Sequence, residues 1–194
     1  NTAVGYQSLT ANTTGANNVA MGDTCLATNT TGNNNVSVGM DAMAANSTGS
    51  DNVVVGKATL TTNTTGSFNT AVGKGAMNQN TTASNNVAVG FDALVLNTTG
   101  ATCTAVGTEA LKRNTTGHDN TCIGYRAGQY IQTSGGSSGH ENTIIGGLAG
   151  DSLTTGHNNT CIGYDAEPSS STSNNSVTLG NSSIADLRCN DTSI

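Results

Sequence analysis

Residues 1–17 read NTAVGYQSLTANTTGAN, and residues 18–34 read NVAMGDTCLATNTTGNN. Aligned, Asn, Gly, Leu and the run NTTG fall into columns. The seventeen-residue step continues with repeat starts at Asn35, Asn52, Asn69, Asn86, Cys103 and Asn120. The eighth repeat carries five extra residues, so the later starts are Asn142, Asn159 and Ser176. A fixed period this short is the signature of a solenoid, in which each repeat is one coil stacked on the next.

The columns predict how one coil is built. Position four is apolar in every copy, from Val4 and Met21 to Ile162 and Leu179, and position two is Val or Thr. Those two share one face of a short strand, and position three lies on the other. Position five is glycine throughout: Gly5, Gly22, Gly39, Gly56, Gly73, Gly90, Gly107, Gly124, Gly146, Gly163 and Gly180. A glycine at a fixed place marks a backbone angle or close approach that other residues resist, and it limits the strand to about four residues. Charges and aromatics at positions six and seven mark a solvent corner. Position eight is usually Ala, and position nine is Leu or Met in the first seven coils. NTTG then turns the chain, its glycine expected to supply the permissive angle. The asparagines of position one predict a ladder of stacked amides.

The fold expected is all-β, a parallel β-solenoid or β-roll of about eleven coils, roughly 50 Å long at ~4.8 Å per coil. The repeat body covers residues 1–175, and residues 176–194 form a partial last coil and a C-terminal segment. Each coil supplies only three or four modest apolar side chains. The small residues of position three, read as facing away from the coil's interior, predict a second packing surface and hence a homo-oligomer, a trimer.

Composition narrows the function. Charged residues are 9% of the chain and aromatics 3%, with no Trp, against about 25% charged in ordinary domains. The formal charge of −6 and the lack of a basic cluster argue against nucleic acid. No apolar run approaches the ~20 residues of a membrane span, so membrane insertion is not expected. The chain begins on the first residue of a repeat, so it reads as a piece of a longer product.

The NVAVG-type strand followed by a turn is similar to the repeats in head domains of trimeric autotransporter adhesins. The NTAVGYQSL…NTTG columns of coils one to ten more closely resemble repeats of bacteriophage tail-fibre and appendage proteins. The ending SVTLGNSSIADLRCNDTSI resembles the segment ahead of an endosialidase-type intramolecular chaperone, which trimerises a fibre and cuts itself off. These likenesses imply a homotrimeric, rigid fibre or adhesin segment for host attachment, located on a virion or outside the cell and folded in the host cytoplasm. Its partners would be fibre or virion proteins and a host-surface glycan or protein, and Ile194 would lie near the cleavage point. A bacterial trimeric surface adhesin is the alternative, and an ice-binding solenoid built on the Thr column is a third reading.

Few residues invite chemistry. No catalytic residue, cofactor or resident metal is expected. His118, His140 and His157 all occupy position sixteen of consecutive coils, beside Asp119, Glu141 and Asn158, and form a metal-ligating candidate. Asp165 with Glu167, or Asp119 with Glu141, are the carboxylate pairs a glycosidase would need, but the aromatics of a sugar groove are scarce. Five cysteines read as buried thiols, since Cys122 and Cys161 sit two coils apart, beyond disulfide reach. NTT and NST recur as formal glycosylation sequons from Asn12 to Asn114, although turn geometry also explains them. The candidate receptor contact is the lengthened loop of coil eight, with Tyr130 and Ile131.

Overall fold

The computed structural model describes residues 1–132 and 139–185. Eleven three-residue strands follow one another: β1 (Thr2–Val4), β2 (Val19–Met21), β3 (Val36–Val38), β4 (Val53–Val55), β5 (Thr70–Val72), β6 (Val87–Val89), β7 (Thr104–Val106), β8 (Thr121–Ile123), β9 (Thr143–Ile145), β10 (Thr160–Ile162) and β11 (Val177–Leu179). They form one parallel sheet in chain order. The expected β-solenoid is therefore the fold, and no helix occurs among the described residues. Each strand pairs with the residue seventeen further on, as Ala20 with Ser37. Between β8 and β9 the step is twenty-two, Thr121 to Thr143, so the insertion lies wholly outside the ladder.

The strand faces are the reverse of the expectation. Position three points inward: Ala20, Ser37, Val54, Ala71, Ala88, Ala105, Cys122, Ile144 and Cys161 are all buried. Positions two and four point out. The reason is room. Position nine fills the interior with Leu26, Met43, Leu60, Met77, Leu94 and Leu111, all fully buried, and that leaves space for only a small side chain opposite. Coil nine shows the trade. It has Ile144 at position three and Gly150 at position nine, where an added Cβ would stand 3.0 Å from Ile144 Cδ1.

Reaching the interior bends the backbone. Positions seven, nine and seventeen are left-handed in nearly every coil, as at Thr24 (φ 50°), Leu26 (φ 53°) and Asn34 (φ 58°). A leucine held there costs roughly 1–2 kcal/mol, an amount that burying its side chain, worth about 1.5–3 kcal/mol, offsets. Coils eight and nine replace that leucine with Gly128 and Gly150 (φ 59° and 56°). Their core side chain arrives three residues later, as buried Ile131 and Leu153.

The rest of the interior is polar. Position one forms the expected ladder: Asn18 Nδ2 donates to Gly32 O at 2.8 Å, while Asn18 Oδ1 accepts the Asn35 N–H at 3.0 Å. A second ladder, at position twelve, is made by the asparagines of NTT. Asn29 Nδ2 donates to Asn12 Oδ1 at 2.9 Å and to Gly32 O at 3.1 Å. Two amides thus converge on one carbonyl, that of position fifteen, in each of coils one to six. An added Cβ on Gly32 would meet Asn29 Oδ1 at 2.4 Å and Gly49 O at 2.3 Å. Its φ lies outside the left-handed range, so this glycine serves close approach and not the permissive angle expected of it; Ala83 takes the same place in coil five. The glycine of position five needs both, since Gly22 has φ 145° and its Cβ would meet Gly39 O at 2.4 Å.

Candidate functional site

The outward face of the sheet is the largest feature the fold presents. Alternation along each strand exposes positions two and four, and the register stacks them into two straight columns. Val4, Met21, Val53, Val55, Ile123, Ile145, Ile162 and Leu179 are each about 40% exposed or more. At ~4.8 Å per strand and ~10 Å per three-residue strand, eleven strands make a flat face of roughly 500 Å². Position two is threonine at Thr2, Thr70, Thr104, Thr121, Thr143 and Thr160, so the face is mostly but not wholly apolar. Its area is that of a monomer's largest patch, roughly 300–600 Å², which is often a contact surface. The small residues of position three, expected to form an outward surface, are buried, and the outward face is built by the side chains of positions two and four.

Coil eight corrects the predicted contact residues. Ile131 is fully buried, because it fills the space that Gly128 leaves: a Cβ there would lie 2.9 Å from Ile131 Cδ1. It is a core residue and cannot touch a receptor. Tyr130 is 38% exposed, with the Arg113 guanidinium 4.6 Å above its ring centre. Residues 133–138, the Gly/Ser-rich part of that loop, lie outside the described residues.

The histidines do come together. The His118 and His140 rings stack with centroids 4.9 Å apart and planes 17° from parallel; His140 and His157 stack at 5.1 Å and 10°. His118 Nδ1 lies 2.7 Å from Asp119 Oδ2, and His140 Nδ1 lies 3.6 Å from Glu141 Oε2. Parallel rings on a ~5 Å rise direct equivalent nitrogens side by side, whereas a tetrahedral zinc at ~2.1 Å draws its ligands to a point. Among the described residues no group of three or more His, Cys, Asp or Glu side chains can hold a metal ion.

The sequons are not a sugar-coated edge. Asn29, Asn46, Asn63, Asn80, Asn97 and Asn114 are fully buried, with each Nδ2 committed to hydrogen bonds inside the coil. The Thr or Ser that follows Asn29, Asn46, Asn63, Asn80 and Asn97 is also engaged, as Thr30 Oγ1 to Ser47 O at 2.9 Å. Only the second threonine of the motif stands exposed, so the motif offers one hydroxyl column, less than the flat array an ice-binding face implies.

The acidic pairs hold loops. Glu167 Oε1 accepts the Asp151 N–H at 2.8 Å, and Oε2 accepts the Ser152 N–H at 3.2 Å and the Ser152 hydroxyl. Burial raises the Glu167 carboxyl above its ordinary value, against those bonds. With Asp165 it borders an open cavity of about 510 Å³ beside β11, whose lining includes Thr178 and Leu179 and no aromatic ring. Asp119 is held below its ordinary value, by the Thr102 hydroxyl first and then by His118, which suits a structural acceptor and not a general acid. Cys25, Cys103, Cys122 and Cys161 are free and buried. Burial pushes the thiols of Cys103 and Cys161 up to about 11, so they act as small apolar side chains.

Fold and surface together define the class: a parallel β-solenoid repeat protein with one apolar sheet face. No known protein family, no curated protein and no solved structure matches this chain. No helix among the described residues is long and apolar enough to cross a membrane.

Proposed function

We propose that the chain is a rigid segment of a fibre or adhesin, three copies packing through their sheet faces into a rod that carries host-surface attachment, as in a phage tail fibre. The observation that carries this reading is the straight double column of Val, Thr, Ile and Met on the outside of the sheet. In a separate chain it costs the hydrophobic energy that burial would recover, at roughly 25 cal/mol per Å². Stable interfaces take about 800 Å² per partner, a value within reach of this face and its flanking corner. The interior supports the mechanical part, because a parallel sheet runs the length of the coil stack and two asparagine ladders, one of them ending at Asn114, reinforce it from inside. The chain has no catalytic role in this reading, and its place is on a virion or cell exterior, with fibre or virion proteins at its ends.

Light scattering on the folded protein is the test. A mass of three times 19.3 kDa supports the rod. A monomer of 19.3 kDa at micromolar concentration overturns it.

A further inference from the structure

In coils one to six, positions ten and eleven carry short or uncharged side chains: Thr10 and Ala11, Ala27 and Thr28, Thr61 and Thr62, Val95 and Leu96. Coils seven and eight put Lys112, Arg113, Gln129 and Tyr130 there instead. These side chains are organised. The Glu109 carboxylate, only 13% exposed, accepts from Lys112 Nζ at 2.6 Å, Arg126 Nε at 2.8 Å and Gln129 Nε2 at 2.9 Å. That network spends Lys112 and Arg126 on an internal acid and fixes the floor of the patch.

Arg113 differs. It is exposed and has no carboxylate partner among the described residues. Its guanidinium is laid over the Tyr130 ring at 4.6 Å. A cation held over a ring face keeps its N–H donors, and a guanidinium can match a carboxylate with two parallel hydrogen bonds. Asp92 and Asp151 stand one coil to either side at positions seven and ten, but the column of Arg113 itself runs Leu96, Arg113, Tyr130, Ser152, with no acid in it.

We propose that Arg113, stacked on Tyr130 above the Glu109 network, anchors a shallow binding site for a carboxylated saccharide on coils seven and eight. The guanidinium takes the sugar carboxylate. The exposed part of Tyr130 gives the pyranose an apolar rest, and the Tyr130 hydroxyl serves a ring hydroxyl. Arg113 and Tyr130 are surface side chains, so the ligand lies along the surface. That suits an extended polysaccharide, for which three copies on one rod multiply a weak contact. The choice of a glycan rests on the attachment reading above.

Saturation-transfer NMR and calorimetry on the full chain test the site, with tetragalacturonic acid and an α2,8-linked sialic acid tetramer as probes and maltotetraose as the neutral control. An acidic tetramer is expected to bind and the neutral one not, with affinity falling as salt is raised from about 0.05 to 0.5 M. Arg113→Gln should weaken binding by about tenfold or more, Arg113→Lys by less, and Lys57→Gln, on a distant coil, not at all. Both Arg113 variants are surface changes whose melting should match the parent. Binding of neither acidic tetramer, equal binding of the neutral one, or unchanged affinity in Arg113→Gln overturns the site. A trimer that binds no acidic sugar removes the site and leaves the fibre reading intact. A monomer that binds one does the reverse.

Discussion

At the scale of single residues, position twelve is the most informative slot. Seven coils fill it with an asparagine, and from the second coil on its Nδ2 reaches back to the preceding asparagine's Oδ1, as Asn63 does to Asn46 at 2.8 Å. The chain of amides ends at Asn114, whose Oδ1 is buried with no hydrogen-bond partner among the described residues, because Ile131 stands where the next amide would be. Asn63→Ala therefore removes the two bonds Asn63 donates and takes from the buried Asn80 amide one of its two acceptors, Asn63 Oδ1 at 2.8 Å, leaving Ala83 O; we expect a loss of about 2–4 kcal/mol in chemical unfolding. Ile131→Asn satisfies Asn114, a gain of about 1 kcal/mol, yet gives up a buried isoleucine over a glycine and leaves a void. The expected net loss is about 1–3 kcal/mol. A stabilised Ile131→Asn protein would mean that the apolar swap is not what holds coil eight. The sequence displays the asparagine columns openly, since repetition marks them. It hides the swap, because losing Leu at position nine and Asn at position twelve looks like decay until Ile131 and Gly128 are seen sharing one space.

At the scale of the strand and its turns, the repeat names every strand, each of which runs three residues against the four or so expected. What it withholds is their orientation. Alternation says that position three opposes positions two and four, but which side is inside depends on the width left by the leucines of position nine across the coil. A period cannot carry that width. The turns add a titratable element. Glu167 caps the loop at Asp151 and Ser152, and burial raises its carboxyl above the ordinary 4.5. Asp151 is raised as well, by burial first and then by Asp165. A folded state that holds its proton to higher pH is favoured most at or below the ordinary value, and that advantage is lost as pH rises through the raised one. Accordingly, the melting temperature of Glu167→Gln minus that of the parent should grow as pH is taken from about 4 to 7. A flat difference would show that the Ser152 and backbone bonds cancel burial, and a shrinking one that they outweigh it.

At the scale of the whole molecule, the reversal of the strand faces changes what the rod must do with its outside. Small residues inside make each coil thin, and large β-branched residues outside make the sheet adhesive. The same two columns that stiffen the sheet are thus the ones a second chain would cover. Val53 and Val55, 43% and 40% exposed in the single chain, sit side by side on β4 near the middle of the face. Replacing both by lysine changes little in an isolated coil, within about 0.5 kcal/mol each for surface positions. In a packed rod the same change buries unpaired charge at every copy, which is worth several kcal/mol against assembly. Val53→Lys/Val55→Lys is expected to keep the strand signal in circular dichroism while its mass falls from three times 19.3 kDa to one. A double variant that stays trimeric would place the contact elsewhere on the coil. A parent that is already monomeric would mean the columns face water by design, and the energetic case for the rod would fall with it.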